Sequence, residues 1–417
     1  MTHQIVCIGD VHKRSGHFRD AAYVAALDSI IDYGLSLPSL ALWLQAGDLF
    51  DQRSSVDDRN AIAERFQRMA ARAPIVCVEG NHGVPGDSLI FSRLAAAWPI
   101  YVVVSPRTLR VPLPTGATAI VGCLPYPARS GLIAAGASAA DTQQAGGAAL
   151  GDILQGLAAE IEDGVMRCGD LPLFLGHINV AGATLSNFQP SIGREIEISR
   201  ETLQLLGPFP KILGHVHKPQ QFDSAQAWYC GSVAPCNFGE LEEKRFLLVE
   251  YFDDRARLPP SVTSVPIQTP ALYHVEGEFT REYGFTWRAT RGPGGEMEGA
   301  PSTWDGCEVR VRFRFPASER SIVAEDVVRA QFAGAARLEL EPVAIPDRGL
   351  RSEEVAAAKT LAEKIDAWSR ANGGSNVAAT VLQKLADLEH RDGPDVLSAV
   401  ATLVANMESG QKHEVAA

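Results

Sequence analysis

Short apolar runs recur along the first 255 or so residues, and a polar cluster follows directly after several of them. Ile5 to Ile8, Leu40 to Leu44, Ile75 to Val78, Leu171 to Leu175 and Ile212 to Leu213 are continuous enough to predict buried strands. Between them the spacing changes to that of helices. Phe18, Ala22, Ala26, Ile30 and Tyr33 share one face, and Ile62, Phe66 and Met69 share another within Val56 to Ala73. Strands alternating with helices predict βαβ units and a layered α/β domain. Three later runs, Thr118 to Cys123, Trp228 to Cys230 and Phe246 to Phe252, are expected in a second sheet. The Ala- and Gly-rich stretch Ser130 to Gly151 is read as a surface loop running into a helix that ends near Gly164.

Prolines at 259, 260, 266 and 270 mark a change of pattern. From Cys307 to Phe315 alternation is strict, with Val309, Val311, Phe313 and Phe315 on one face and Arg310, Arg312 and Arg314 on the other. A helix over Ser321 to Phe332 is expected to pack on that strand. From Ser352 the chain is predicted helical, in three apolar stripes. The first runs Val355, Ala358, Leu361, Ile365, Trp368, and Gly373-Gly374 ends it. The second runs Val377, Val381, Leu385, Leu388, and the third Val396, Val400, Leu403, Met407. These shifts divide the chain into residues 1–270, a small α+β domain over 271–346, and a helical region over 347–417.

The polar clusters carry the chemistry. They are Asp10-Val11-His12, Gly47-Asp48-Leu49-Phe50-Asp51, Gly80-Asn81-His82, Gly176-His177 and Gly214-His215-Val216-His217. Ligands bind beyond the carboxyl ends of strands in open α/β sheets. Asp10, His12, Asp48, Asn81, His177, His215 and His217 together could hold two divalent cations, with His82 beside them. Asp10 and His12, two apart, can face one metal. Asp48 is the candidate bridge, since Gly47 lets the backbone come close. The mixed oxygen and nitrogen set suits manganese, iron or zinc better than magnesium. Taken singly each cluster is bland: Asp-x-His is most often a turn, Gly-Asp a helix cap, His-x-His a small structural zinc site. Their order and their placement after strands give them weight.

Composition narrows the class. The 417 residues are 46% hydrophobic and 21% charged, an ordinary globular balance, with no run suited to a membrane span. The N-terminal residues are expected to enter a strand directly rather than to form a signal peptide. Seven dispersed cysteines without a CxxC pair fit buried, reduced thiols in the cytoplasm. No GxxxxGK[ST] loop is present, so the chain is not an ATPase by itself. A formal charge of −12 is unusual for a nucleic-acid protein, although bound cations supply positive charge where a phosphate sits.

The ordered motifs resemble the calcineurin-like metallophosphoesterase superfamily, and within it the SbcD-type DNA-repair nucleases. The closer likeness lies in Gly47 to Asp51, in Gly176-His177-Ile178-Asn179-Val180-Ala181-Gly182-Ala183 and in Leu213-Gly214-His215-Val216-His217-Lys218-Pro219-Gln220. Tyr229-Cys230-Gly231-Ser232 also looks like that family's Tyr-Ser-Gly-Ser stretch. The resemblance covers residues 4 to 252 and implies a β-sandwich flanked by helices, a capping domain and C-terminal helices. It implies one metal on Asp10, His12, Asp48 and His217, and another on Asp48, Asn81, His177 and His215. His82 would then touch the phosphate and assist the leaving oxygen, and Asp51 would brace the ligands from behind or cap a helix. The superfamily often has Asp after that histidine, and Gly83 stands here, which leaves the orientation of His82 open.

The implied activity is manganese-dependent cleavage of DNA, as a 3′–5′ exonuclease and an endonuclease, in double-strand-break repair and recombination. The implied partner is an SbcC-like coiled-coil ATPase, bound by a dimer of this chain within a heterotetramer. Helices docking on that coiled coil would account for the C-terminal stripes; packing on their own domain would do so equally. Lys13, Arg14, Lys218, Arg310, Arg312 and Arg314 are candidate contacts to DNA phosphates, the alternative being a solvated basic face. Two other readings remain. One is a phosphodiesterase acting on a nucleotide or cyclic nucleotide. The other is a DNA-end-binding scaffold without catalysis, against which the intact ligand set argues.

Overall fold

In the computed structural model residues 2–127, 142–187, 189, 196–253, 259–292, 295–297, 301–346 and 353–371 are described. The chain begins with β1 (Thr2–Ile8), α1 (Asp20–Ser36), β2 (Leu40–Gln45), α2 (Val56–Ala70), β3 (Ile75–Val78) and β4 (Ile100–Val103). These four strands are parallel neighbours in that order. The chain then builds a second sheet from β5 (Arg107–Pro112), β6 (Thr118–Leu124), α3 (Thr142–Cys168) and β7 (Leu171–His177). A short parallel pair follows, β8 (Asn179–Val180) and β9 (Glu197–Ile198), then α4 (Arg200–Gln204). The second sheet is completed by β10 (Lys211–Gly214), β11 (Gln220–Phe222) and β12 (Ala227–Tyr229), in the order β11-β12-β10-β7-β6-β5. Finally β13 (Arg245–Phe252) and β14 (Ser261–Pro266) return to the first sheet, which reads β14-β13-β1-β2-β3-β4.

Strand alternation sorts the apolar residues into three layers. Ile5, Cys7, Leu42, Leu44 and Val76 meet Val121, Leu173, Leu175 and Ile212 between the two sheets. Val6, Ile8 and Trp43 face the other way, against Ile30, Ile62 and Phe66 of the helices. On the far side Ile120, Phe174 and Leu213 pack on Leu154, Leu157 and Ile161 of α3. Each fully buried side chain of this size stabilises the fold by about 1.5–3 kcal/mol. The result is a helix-flanked β-sandwich of mixed α/β class.

Phe246 to Phe252 departs from expectation. It lies in the first sheet, antiparallel to β1, with Val249 opposite Ile5. Leu247, Val249 and Tyr251 enter the core between the sheets, while Phe246 and Leu248 enter the core of the first sheet's helices. A strand buried on both faces has no polar side to reveal which sheet it joins.

A third sheet holds β15 (Leu272–Thr280), β16 (Gly284–Gly292), β17 (Gly295–Met297), β18 (Glu308–Pro316) and β19 (Arg337–Ile345), ordered β17-β16-β15-β18-β19. Val309, Val311, Phe313 and Phe315 are buried with Trp304, Val328 and Phe332, as the alternation predicts. The helix expected over Ser321 to Phe332 is shorter, a 3-10 turn at Ala317–Ile322 and then α5 (Glu325–Ala330). The third sheet is tied to the sandwich through Arg19, which is 1% exposed. One of its nitrogens donates to the Pro235 carbonyl at 3.1 Å, and the other pairs with Glu308 at 3.0 Å.

The chain divides into two compact units, residues 1–315 with 322–343, and residues 316–321 with 344 onward. In the second, the predicted helix from Ser352 is split into α6 (Glu353–Ala357) and α7 (Leu361–Ala371). The break is chemical. Thr360 Oγ1 accepts the Glu363 N–H at 3.2 Å while Glu363 accepts the Thr360 N–H at 3.0 Å, a capping box that starts a new helix. The other two predicted C-terminal helices, and Ser130 to Asp141, lie outside the described residues; α3 ends at Cys168 rather than near Gly164. Among the described residues no helix is long and apolar enough to cross a membrane.

Asp58 joins the start of α2 to the first metal-type loop. It completes a capping box with Ser55 and accepts from Ser15 N–H and Oγ at 2.6 and 2.7 Å and from Lys13 Nζ at 3.1 Å. Burial alone would raise its carboxyl pKa; the hydrogen bonds from Ser55 and Ser15 outweigh that and hold it well below the ordinary range. A depressed folded pKa contributes stability that is present above about pH 4 and is lost as pH falls below it. Asp58→Ala should cost about 2–4 kcal/mol in urea unfolding at pH 7 and flatten the acid limb of the stability curve. An unchanged midpoint would contradict this role.

Candidate metal centre

The five polar clusters meet at one edge of the sandwich. β1, β2 and β3 deliver three from the first sheet, and β7 and β10 deliver two from the second. All five strands end at that edge because each set is parallel. The loops are bent hard to converge. His12, Asp48 and His215 have φ of 51°, 47° and 93°, and Gln226 is the remaining non-glycine with positive φ among the described residues. Such conformations cost of order 1–3 kcal/mol each and persist where surroundings over-determine them, typically at functional sites. Gly47, at φ 104°, and Gly80 let backbone pass where a Cβ would collide with His177 and with the Asp48 carboxylate.

All seven expected ligands come together. Asn81 Oδ1 lies 2.9 Å from both His177 Nε2 and His215 Nδ1. His177 Nε2 is 3.2 Å from Asp48 Oδ2. Across the site His12 Nε2 and His217 Nε2 are 3.0 Å apart, and His217 Nε2 is 3.8 Å from Asp10 Oδ2. Asp48 belongs to two ligand groups at once, one with Asp10 and His177, the other with His12 and His82. His82 is half exposed. Its Nδ1 donates to the Asp51 carbonyl at 2.9 Å, and its backbone N–H donates to Asp48 at 2.8 Å. The carbonyl of Asp51 thus orients His82 where Gly83 offers no carboxylate. Asp51 caps no helix, since Ser55 caps α2.

The donor chemistry fits cations. His177 Nδ1 donates to the Ala46 carbonyl at 2.7 Å, so its Nε2 faces the oxygens of Asn81 and Asp48 with no second neutral hydrogen to offer. That arrangement demands a positive charge, either a proton or a metal. Burial opposes a proton on His177, yet Asp48 pulls its pKa up to about 9. Burial alone would raise Asp48, but His177 and then His12 hold it well below the carboxylate range. Burial keeps Asp10 raised, against the pull of His177. Burial and the neighbouring His217 push His12 down to about 3. Protons here stand in for the positive charge that a cation pair would bring.

Sequence spacing did not point to the layer behind the ligands. Glu240 is buried and accepts from His217 Nδ1 at 3.0 Å, which leaves Nε2 as the His217 atom for a metal. Lys244, also buried, donates to Glu240 and, at 2.8 Å, to Glu242. Burial alone would push His217 down; Cys236 and Glu240 raise it well above its ordinary value. Gln189 braces both neighbouring loops, donating to the His215 carbonyl at 2.7 Å and accepting from the His217 N–H at 3.1 Å. The Tyr126 ring lies 5.6 Å from that of His215. A buried acid such as Glu240 leaves no signature in spacing, because its partner is distant in sequence.

The basic candidates are scattered. Lys13 is 4% exposed, its ammonium paired with Asp20 at 2.7 Å and Asp58 at 3.1 Å, so its charge is already committed within the protein. Arg14 pairs with Asp51 at 3.0 Å. Arg310 pairs with Glu339 at 3.2 Å and Glu341 at 3.3 Å. Arg312 and Arg314 are exposed, in register with Glu276 and Glu278 of β15. Lys218 is half-buried beside the His217 loop.

Residues 3–133 match the calcineurin-like phosphoesterase family. That stretch, from β1 through β6, is similar to a calcineurin-like phosphoesterase domain. Members of that family typically hydrolyse phosphoesters with a pair of divalent metals, and the cage described above holds candidate groups for such metals. No curated protein matches the sequence. Among solved structures, the TT1561 protein of Thermus thermophilus aligns with 63% of this chain and 99% of its own, at 12% identity and a TM-score of 0.35, too distant to argue from.

At this centre Glu240→Gln should keep the fold but weaken retention of one metal by about 10–100-fold, read by elemental analysis after dialysis. Unaltered retention would remove Glu240 from the design. Asp48→Ala should lose both metals, and His82→Ala should keep both. Loss of a metal in the latter would make His82 a ligand, as its grouping with His12 and Asp48 permits.

Proposed function

We propose that this chain is the nuclease subunit of an SbcCD-like complex, a two-metal phosphodiester hydrolase that acts on DNA as exonuclease and endonuclease with manganese. The observation that carries the hydrolytic part is Asp48, shared between two ligand groups and flanked by an exposed histidine. The DNA part rests on the motif stretches around His177 and His215.

When bound, the metal pair supplies positive charge for the phosphoryl oxygens and lowers the pKa of water. The protein's residues do the rest. Asp10 and Asp48 balance that charge, Asn81 adds a neutral oxygen, and the four imidazoles fix its position. His82 has its Nδ1 hydrogen committed to Asp51, which leaves Nε2 as the ring atom for proton transfer to the departing oxygen. Asp51 is a positioning residue, acting through its carbonyl.

One observation favours the smaller-substrate reading. Arg310 is paired with glutamates, Arg312 and Arg314 have them in register, and the whole chain carries −12. The discriminating experiment offers the manganese-loaded protein linear duplex DNA, cyclic nucleotides and a chromogenic phosphodiester, with and without an SbcC-like ATPase. DNA should be degraded, and His82→Ala should lower turnover by about 10²–10⁴-fold. Hydrolysis of the small diesters with DNA intact under both conditions would replace the nuclease reading with that of a nucleotide phosphodiesterase.

We place the ATPase contact on residues 352–417, so their removal should leave hydrolysis of the chromogenic diester and abolish co-purification. A truncated chain that still co-purifies would refute that placement.

A further inference from the structure

Cys236 is a nucleophilic side chain that the hydrolytic reading leaves unused. Its Sγ, one nitrogen of His12 and one nitrogen of His217 all lie within 4.8 Å of one another. The thiol is half-buried and in no disulfide. It interacts with the Tyr23 hydroxyl and with the His217 ring. Its backbone N–H donates to Glu240 at 3.1 Å, so the loop that carries it is anchored to the carboxylate that orients His217. The His12 ring presents Nε2 to His217 at 3.0 Å and turns its buried Nδ1 to the Asp51 carboxylate, 3.7 Å away.

These separations suit a shared cation. With metal–nitrogen distances of about 2.0–2.1 Å and metal–sulfur of about 2.3 Å, tetrahedral nitrogen and sulfur ligands stand about 3.5 Å apart. We propose that Cys236 is a thiolate ligand of the cation held by His12 and His217. This position is then thiophilic and selects zinc, iron or cobalt. The position formed by Asn81, His177 and His215 keeps the oxygen and nitrogen set that suits manganese. Binding exchanges the S–H bond for a sulfur–metal bond and releases one proton to solvent, with no change of oxidation state. The inference rests on the metal-centre reading above.

Cobalt(II) separates the two ideas. The full chain is used with Cys168→Ser, which removes the exposed thiol. Metal-stripped protein titrated without oxygen should take up two cobalt ions and develop one near-ultraviolet thiolate-to-cobalt band. Adding Cys236→Ser should abolish the band, keep the other cobalt, and lower the preference for zinc over manganese at one position at least about tenfold. Two bound cobalt ions without the band, or a band that survives Cys236→Ser, would overturn the thiolate assignment and leave the metal centre standing. Absence of cobalt uptake would overturn both. Should the double variant not fold, the band in the Cys168→Ser protein decides alone.

Discussion

Two carboxylates buried side by side are the constraint around which this protein is built. Asp10 is fully buried and Asp48 nearly so, at the seam where two sheets meet. Such a pair repels itself and loses its hydration, so it persists only if the surroundings supply positive charge. His177 and His217 supply it while the site holds protons, and a cation pair supplies it more fully. The bent backbone at His12, Asp48 and His215 follows from the same demand, because straight strand ends would not bring the donors within reach.

The need for compensation spreads outward. His217 is steadied by Glu240, itself a buried acid, and Glu240 is neutralised by Lys244. The loop that carries Glu240 is held at Pro235 by Arg19, which reaches Glu308 of the third sheet. The third sheet, the loop and His217 form one continuous set of contacts. The side chains that make it hold charge in place more than they bury apolar area.

Much of this was legible in the sequence. The five strands before the clusters, the two crossover helices and the alternation of β18 follow from periodicity, which reports how each residue is buried. The seven candidate donors and His82, which the structure brings together, stood out because a metal site needs particular residue types at turns. Three things were not. The placement of β13 depends on a partner strand some 245 residues away, with no polar face to assign it. Glu240, Cys236 and Gln189 act through distant neighbours, so local spacing is silent about them. The pairing of Arg310 with Glu339 and Glu341 arises from adjacency within the third sheet, and the arginines alone read as a free basic face.

The ligands are also drawn from far apart in the order of synthesis. Asp10 meets the His215 backbone 205 residues later, and β1 gains its β13 neighbour later still. Long loops must therefore close before the first donors find their partners. On the ribosome the stretch through Asn81 emerges with Asp10, His12 and Asp48, before His177, His215 and His217 that complete the cage. The cage comes into being only as the sandwich shuts, so an unfinished chain carries some of its donors without the site.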